Sequence, residues 1–320
     1  LYSDLTSRNA QHPPRIIYSV PMRVLANSFI KRFKNTALQR HWKPEWQPSI
    51  QTGEQPDDPL FESALTFATV DQVLASYLHM PYGLPRTLDN INHGAFIGSY
   101  LVFDEVHLYP RDQMFLTVLA MLKMLKGISR FILMSATFSA PLMQEIGKLL
   151  GAEVISDPPG IPISEGLFKD ITSLQTRSRT FWAKDGPITA ETVLQLAEQR
   201  TLVICNTVDR AQRLYQALQQ DNRVECHLLH SHFLRTDRQR KEQFVMSEFE
   251  NYKGQKPLIV IATQVIEVGV DISSNVLITE CAPAASILQR AGRCARRGGE
   301  HGKVYVFQPY DEDQKVNYAP

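Results

Sequence analysis

The sequence predicts an α/β protein made of two units, each a parallel sheet flanked by helices. Three observations predict it. Short apolar runs of strand length alternate with amphipathic helical runs along nearly all of the 320 residues, the pattern of parallel strands joined by crossover helices. The length suits two domains of ordinary size. The alternation breaks once, between about Ser156 and Arg177, where Pro158, Pro159, Gly160 and Pro162 cluster and helical periodicity vanishes. The expected organisation is a first domain over 1–157, a linker over 158–176 and a second domain over 177–320.

The elements follow in order. Arg15 to Val20 reads as a buried strand. Lys43 to Pro59, rich in Pro, Gln and Asp, reads as an exposed insertion or long loop. Ala64 to Ala68 is a second strand, followed by a helix from about Val70 to Leu78. Tyr100 to Phe103 is a strand that runs into acids. Met114, Phe115, Val118, Leu119, Met121, Leu122 and Leu125 mark one face of a helix that Gly127 stops. Phe131 to Met134 is a strand. Ser139 caps a helix that runs to Leu150, and Gly151 ends it. In the second half, Thr201 to Cys205, Val224 to Leu229, Leu258 to Ala262, Val276 to Thr279 and Lys303 to Phe307 read as strands. Val208 to Leu218 and Ser286 to Ala295 read as helices.

Composition excludes several classes. Hydrophobic residues at 43% and charged residues at 21% fit a soluble globular protein with proper cores. A formal net charge of +1 does not announce a nucleic-acid partner, so one must be argued from local sites. None of the four cysteines, Cys205, Cys226, Cys281 and Cys294, lies in a C-x-x-C pair, so neither a zinc knuckle nor a disulfide framework is indicated. A reducing cytoplasm is the expected location. No apolar run approaches the roughly 18 residues of a membrane span, and no signal-peptide pattern is visible.

The informative residues sit at strand ends, where open parallel sheets bind ligands. Tyr100-Leu101-Val102-Phe103 runs straight into Asp104-Glu105-Val106-His107. A carboxylate there can hold Mg²⁺ beside a nucleotide, as Asp104 would. Glu105 would then orient and deprotonate the attacking water. The same two acids could merely open a solvated loop. The next strand ends in Ser135-Ala136-Thr137, whose hydroxyls could contact the acid-bearing tip and relay nucleotide state. Farther on, Gln289, Arg293 and Arg296 are spaced four and three apart. On a helix they share one face, where paired guanidiniums can stabilise a transferring phosphoryl group. They could equally form a solvated basic helix end. Thr263, after the strand Ile259 to Ala262, can donate to a phosphate of a bound strand. Asp271 can reach a ribose hydroxyl or help couple the domains, and Gly269 permits close backbone approach. Cys226, His227, His230 and His232 fit no standard zinc spacing, which favours structural or strand-phosphate roles.

Taken in order, Asp104 to His107, Ser135 to Thr137, Ala262 to Asp271 and Gln289 to Arg296 resemble motifs II, III, V and VI of superfamily 2 helicases. Val20-Pro21-Met22-Arg23 resembles motif Ia, and Ala68-Thr69-Val70-Asp71-Gln72 the strand-contacting motif that follows. Cys205-Asn206-Thr207 resembles motif IV, and His230-Ser231-His232 with Arg238 the next segment. The wording of Thr69 to Gln72, Asp104 to His107 and Ala262 to Asp271 resembles the CRISPR-associated DEVH-box helicase-nuclease of type I systems.

The resemblance implies two tandem RecA-like domains of the P-loop NTPase superfamily 2 helicase core. It implies an ATP- and Mg²⁺-dependent motor that moves 3′ to 5′ on single-stranded DNA, unwinding target DNA for degradation in antiviral defence. The implied partners are single-stranded and duplex DNA, the guide-RNA surveillance complex of Cascade type and an HD nuclease domain or subunit, with no membrane. Asp104, Gly269, Asp271, Arg293 and Arg296 would serve the nucleotide, bound in the cleft between the domains. Catalysis would fall to Glu105, Asp104, Arg293, Arg296 and Gln289. His107, Ser135 and Thr137 would couple. Pro21, Met22, Arg23, Thr69, Asn206, Ser231, Thr263 and Gln264 would hold the strand, mostly by phosphate contacts.

Two departures matter. Motif I has the form G-x-x-x-x-G-K-[ST], yet the only Gly-Lys pairs are Gly147-Lys148 and Gly302-Lys303, and neither precedes Ser or Thr. Because motif I precedes motif Ia, it is expected before Leu1, and the chain reads as truncated. There is also no His-Asp dipeptide, hence no HD nuclease signature. Residues 1–320 alone are expected to show negligible ATPase. Two other readings remain open: a repair or RNA-remodelling helicase of superfamily 2, and a non-hydrolysing nucleic-acid-binding fragment.

Overall fold

Near-continuous apolar strands need cover on both faces, and every pair of named strands among the described residues is parallel, as that requirement predicts. The computed structural model describes residues 15–39, 41, 46–82, 84, 86–155, 177–267, 270–297 and 299–308. The chain divides into two compact units, Leu1–Pro158 and Pro159–Pro320. The segment expected as a linker, 158–176, lies outside the described residues.

The first unit contains β1 (Ile16–Val20), α1 (Arg23–Gln39), β2 (Ser49–Gln51), β3 (Leu65–Thr69), α2 (Val70–Tyr77), α3 (Asp89–Gly94), β4 (Tyr100–Phe103), α4 (Leu116–Met124), β5 (Arg130–Leu133) and α5 (Ala140–Leu150). Its strand order is β2-β3-β1-β4-β5. Successive strand residues point to opposite faces. Ile17, Leu101 and Phe103 therefore pack with Val73, Val118 and Leu122, while Ile16, Phe67 and Val102 pack with Ala26 and Ile30.

The second unit contains β6 (Ser178–Lys184), α6 (Ala190–Leu196), β7 (Arg200–Ile204), α7 (Val208–Leu218), β8 (Glu225–Leu229), α8 (Arg235–Asn251), β9 (Leu258–Ala262), β10 (Val276–Glu280), α9 (Ala284–Ala291) and β11 (His301–Phe307). Its order is β6-β11-β10-β7-β9-β8. The central strands β9 and β10 are buried throughout. Leu258, Val260 and Leu277 face one layer; Ile259, Ile261 and Ile278 face the other.

Three expectations change. The stretch from 43 to 59 is not simply a loop, because it supplies the edge strand β2, paired with β3. Asp58 organises it, accepting from Thr66 Oγ1 at 2.7 Å, Ser49 Oγ at 2.8 Å, Glu62 N at 2.8 Å and Ser63 N at 3.1 Å. Burial alone would raise the Asp58 carboxyl, but these donors hold it below its ordinary value. The alternation also resumes earlier than expected, at the largely exposed edge strand β6. Finally, the helix expected over 286–295 ends at Ala291. The chain beyond it pairs instead with the segment before β10, through a Ser274–Cys294 bridge and Ala295 N donating to Ser274 O at 2.9 Å. Gly302 of β11 permits this approach: a Cβ there would stand 2.5 Å from Cys294 Sγ.

Candidate functional site

Parallel strands bring their carboxyl ends to one edge of each sheet. In the first unit β1, β3, β4 and β5 end at Val20, Thr69, Phe103 and Leu133. Pro21, Met22, Arg23, Thr69, Asp104, Glu105 and Ser135 therefore fall at one edge. The backbone ladder continues beyond β4. Asp104 N donates to Ser19 O at 2.9 Å and Val106 N to Met134 O at 3.1 Å, which seats the acid pair between the tips of β1 and β5.

Asp104 is held at both oxygens. The Tyr18 hydroxyl donates to Oδ2 at 2.8 Å, and the Glu105 amide donates to Oδ1 at 2.8 Å. Burial first, then the Asp104 charge, pushes the Tyr18 phenol far above its ordinary value, so it stays a donor. Glu105 adopts left-handed backbone, φ 50° and ψ 41°, which costs a residue with a side chain about 1–3 kcal/mol and clusters at functional sites. Its carboxylate is 38% exposed. His107 is buried behind it, with Nδ1 3.5 Å from Glu105 Oε2 and 3.3 Å from Ser135 Oγ. Ser135 Oγ also accepts from Phe138 N at 3.2 Å and Thr137 N at 3.4 Å. Burial lowers the His107 pKa, against the opposing pull of Asp104.

The pair suits a water-mediated cation. Each Asp104 oxygen accepts one of these bonds and keeps a second lone pair. Among the described residues no group of three or more His, Cys, Asp or Glu could hold a metal by itself. Mg²⁺ uses one or two carboxylates and completes its shell with water and substrate phosphates, which fits Asp104 with Glu105 beside it. No phosphate-loop sequence occurs anywhere in the chain.

The expected strand contacts of this unit are mixed. Arg23 and Met22 are exposed, and Arg23 Nη1 pairs with Glu54 Oε1 at 2.6 Å. Thr69 is only 2% exposed and its hydroxyl lacks a partner. It starts α2 without a side-chain cap, so its side chain is withdrawn from the surface.

In the second unit, register aligns Ile204 with Ala262 and Leu229 with Ala262. Asn206, Ser231, Thr263 and Gln264 follow these three strands and gather at one edge. Gln264 Nε2 donates to Asn206 O at 2.8 Å. Thr263 is buried. Gly269 lies outside the described residues. Gln289 sits on α9, but Arg293 and Arg296 lie beyond that helix and do not share a helical face with it. Arg293 donates to the carbonyls of Ile266 at 3.2 Å and Glu267 at 2.5 Å. Arg296 Nε pairs with Asp271 Oδ1 at 2.7 Å.

Sequence reasoning misses a buried polar network here. Arg290, 1% exposed, donates to Glu267 Oε1 at 2.7 Å, Thr279 Oγ1 at 2.9 Å and Glu280 O at 3.0 Å. Glu280 pairs with Arg210 at 3.0 Å and accepts from Asn206 N at 2.5 Å. Burial raises the Glu280 carboxyl, opposed by Asn206, Arg210 and Arg290. The available signal was an apolar strand ending in an acid, the same one that marks Asp104. Tyr18 was legible only as a strand residue.

The parallel two-unit fold and the family matches together define the class, a superfamily 2 helicase of the DEAD/DEAH-box family. The DEAD/DEAH box helicase family matches residues 2–146. A second match, over residues 197–299, is to the C-terminal part of the CRISPR-associated nuclease/helicase Cas3. A Cas3-type CRISPR-associated nuclease/helicase of Methanocaldococcus jannaschii is 31% identical over 267 residues, 78% of this chain and 34% of that protein. The chain thus spans about a third of that relative's length. Two solved structures share the fold. T. fusca Cas3 with ATP superposes at TM-score 0.70 with 19% identity, covering 95% of this chain and 42% of that one. A chain of a CRISPR RNA-guided surveillance complex before nicking gives 0.65 with 21% identity, covering 97% and 40%. The protein belongs to the CRISPR-associated Cas3 helicases.

Proposed function

We propose that this chain is the motor core of an ATP-dependent helicase of CRISPR interference. It moves 3′ to 5′ along single-stranded DNA and unwinds target DNA for degradation in the cytoplasm. The observation that carries the reading is the acid pair: Asp104 fixed at both oxygens, and Glu105 held exposed in left-handed backbone beside it.

Asp104 would hold Mg²⁺ through water, and the ion would supply charge neutralisation at the nucleotide phosphates. Glu105 orients the attacking water and takes its proton. His107, Ser135 and Thr137 tie the acid tip to the next strand and relay its state. Arg293, Arg296 and Gln289 stabilise charge on the transferring phosphoryl group, and Asp271 and Gly269 serve the nucleotide. In this structure Arg296 is paired with Asp271 and Arg293 holds the turn after Thr263, so their engagement with nucleotide exchanges these contacts. Pro21, Met22 and Arg23 grip the strand from the first unit, where the Thr69 side chain is buried, and Asn206, Ser231 and Gln264 from the second, where the Thr263 side chain is buried. Support for the surveillance-complex partner comes from the similar chain solved in such a complex. An HD nuclease, fused or separate, would degrade the displaced strand.

The test is unwinding of matched DNA and RNA duplexes by the intact gene product that carries this chain. DNA unwinding that depends on ATP is expected; a strict RNA preference contradicts the proposal. A second reading, a nucleic-acid-binding piece that does not hydrolyse ATP, is favoured by one observation, the lack of a phosphate loop in residues 1–320. For this polypeptide by itself, salt-sensitive DNA binding with negligible ATPase is expected.

A further inference from the structure

A cavity of about 570 Å³ opens beside β8, one of the two outer strands of the second sheet. That lies within the roughly 300–1,000 Å³ range of small-molecule sites. Gln212 and Gln216 of α7 and Gln219, the αR residue that caps it, line it, spaced four and three residues apart and so on one face. Leu228 and Phe233 give it apolar surface, and Lys241 lies at its other side. No carboxylate is among the described residues that line it.

The polar groups are set by His230, which is 3% exposed and stacks on Phe233 with centroids 4.1 Å apart. His232 N–H donates to His230 Nδ1 at 3.2 Å. The neutral ring therefore carries its proton on Nε2. Gln212 Nε2 stands 3.2 Å from His230 Nε2. Two N–H donors cannot face each other, so the Gln212 amide is assigned with its oxygen toward the ring and its NH₂ outward. Lys241 Nζ stands 4.6 Å over the Phe233 ring. The cavity thus offers amides that can donate or accept, one cation, and no negative charge to repel a phosphate. Ser231 adjoins its His230 wall, and register carries that strand end to Thr263 and Asn206.

We propose that this cavity is a base slot. It receives the nucleobase of one nucleotide of a single strand held along the carboxyl edge of the second sheet. The glutamine amides meet the base edge and Lys241 meets the adjoining phosphate. The proposal rests on the nucleic-acid reading of that edge and adds to it, since phosphate contacts alone need no base.

The test compares a short fluorescein-labelled oligothymidylate with a backbone-matched abasic strand, both titrated with the full chain. The base-bearing strand is expected to bind about tenfold more tightly. Gln216→Trp fills the slot from an exposed helix position. It should bring the base-bearing strand down to the abasic level and leave abasic binding unchanged. Gln212→Leu removes an amide without adding bulk and should give a partial loss, which keeps the test available if the tryptophan variant does not fold. Equal binding of the two strands by the wild type, or a preference that survives both substitutions, overturns the slot. Salt-sensitive binding of both strands in that case leaves the nucleic-acid reading standing. Failure to bind either strand removes both.

Discussion

The Tyr18 hydroxyl, one strand away, donates to Asp104 Oδ2 at 2.8 Å and fixes the carboxylate whose other oxygen is held by the Glu105 amide. Tyr18→Phe removes that bond while keeping the ring that packs against Phe29 and Phe67. A hydrogen bond to a charged group contributes about 1.5–3 kcal/mol, and Asp104 is only partly buried, so a loss of about 1–2 kcal/mol is expected on urea unfolding. The phenol is raised above its ordinary value of 10.0 by burial and then by Asp104. The unfolded chain releases that proton near pH 10 while the folded chain keeps it. Stability therefore falls as pH rises past 10, and Tyr18→Phe should flatten that fall. Tyr109, raised by burial as well, leaves part of the slope in place.

His107 gives the opposite sign. Burial lowers its pKa against Asp104, so the unfolded chain takes up a proton near the ordinary value of 6.5 that the folded chain refuses. Its contribution is complete above that pH and is lost as pH falls. His107→Gln should make the decline of the urea midpoint shallower between about pH 7 and pH 5. His230, also lowered by burial, preserves a remainder.

The Arg290–Glu267 pair is buried on both sides. Removing one partner leaves an uncompensated charge inside. Arg290→Met or Glu267→Leu alone should cost about 3–5 kcal/mol, and the double substitution much less than the sum. A double-mutant cycle by chemical denaturation reads this directly. Additive losses would mean that the two groups do not act together.

Arg296 and Asp271 make the contrasting case, since both are exposed. An exposed pair contributes about 0–1 kcal/mol. Asp271→Ala should leave unfolding nearly unchanged. Arg296→Ala should likewise keep stability but lower DNA-stimulated ATP turnover of the intact gene product by about 10³ or more. Turnover measured beside thermal unfolding separates a chemical role from a structural one.

The strands were legible because a parallel sheet buries both faces: Leu258–Ala262 is apolar throughout and Val276–Ile278 opens the next strand as an apolar run, and both stand out without any periodicity. Their carboxyl ends then located Asp104, Glu105, Ser135, Asn206 and Thr263 on two sheet edges. Contacts that depend on tertiary approach were not legible. Arg293 and Arg296 carry helical spacing, yet the Ser274–Cys294 bridge and the close passage at Gly302 draw that segment out of the helix. Glu280 ends an apolar strand as Asp104 does, but turns inward to Arg210 and Asn206. Only three-dimensional packing separates the two acids. The edge strand β2 has three residues and is held through Asp58 side-chain bonds, which leave no periodic trace.

The most direct test of the account is the rate of DNA-stimulated ATP hydrolysis by the intact gene product, wild type against Glu105→Gln. The amide keeps the size of the side chain and cannot take the proton from water. Turnover should fall by about 10²–10⁴, with single-stranded DNA binding retained. Turnover of Glu105→Gln at the wild-type rate would contradict the assignment of the Asp104–Glu105 strand tip as the hydrolytic centre.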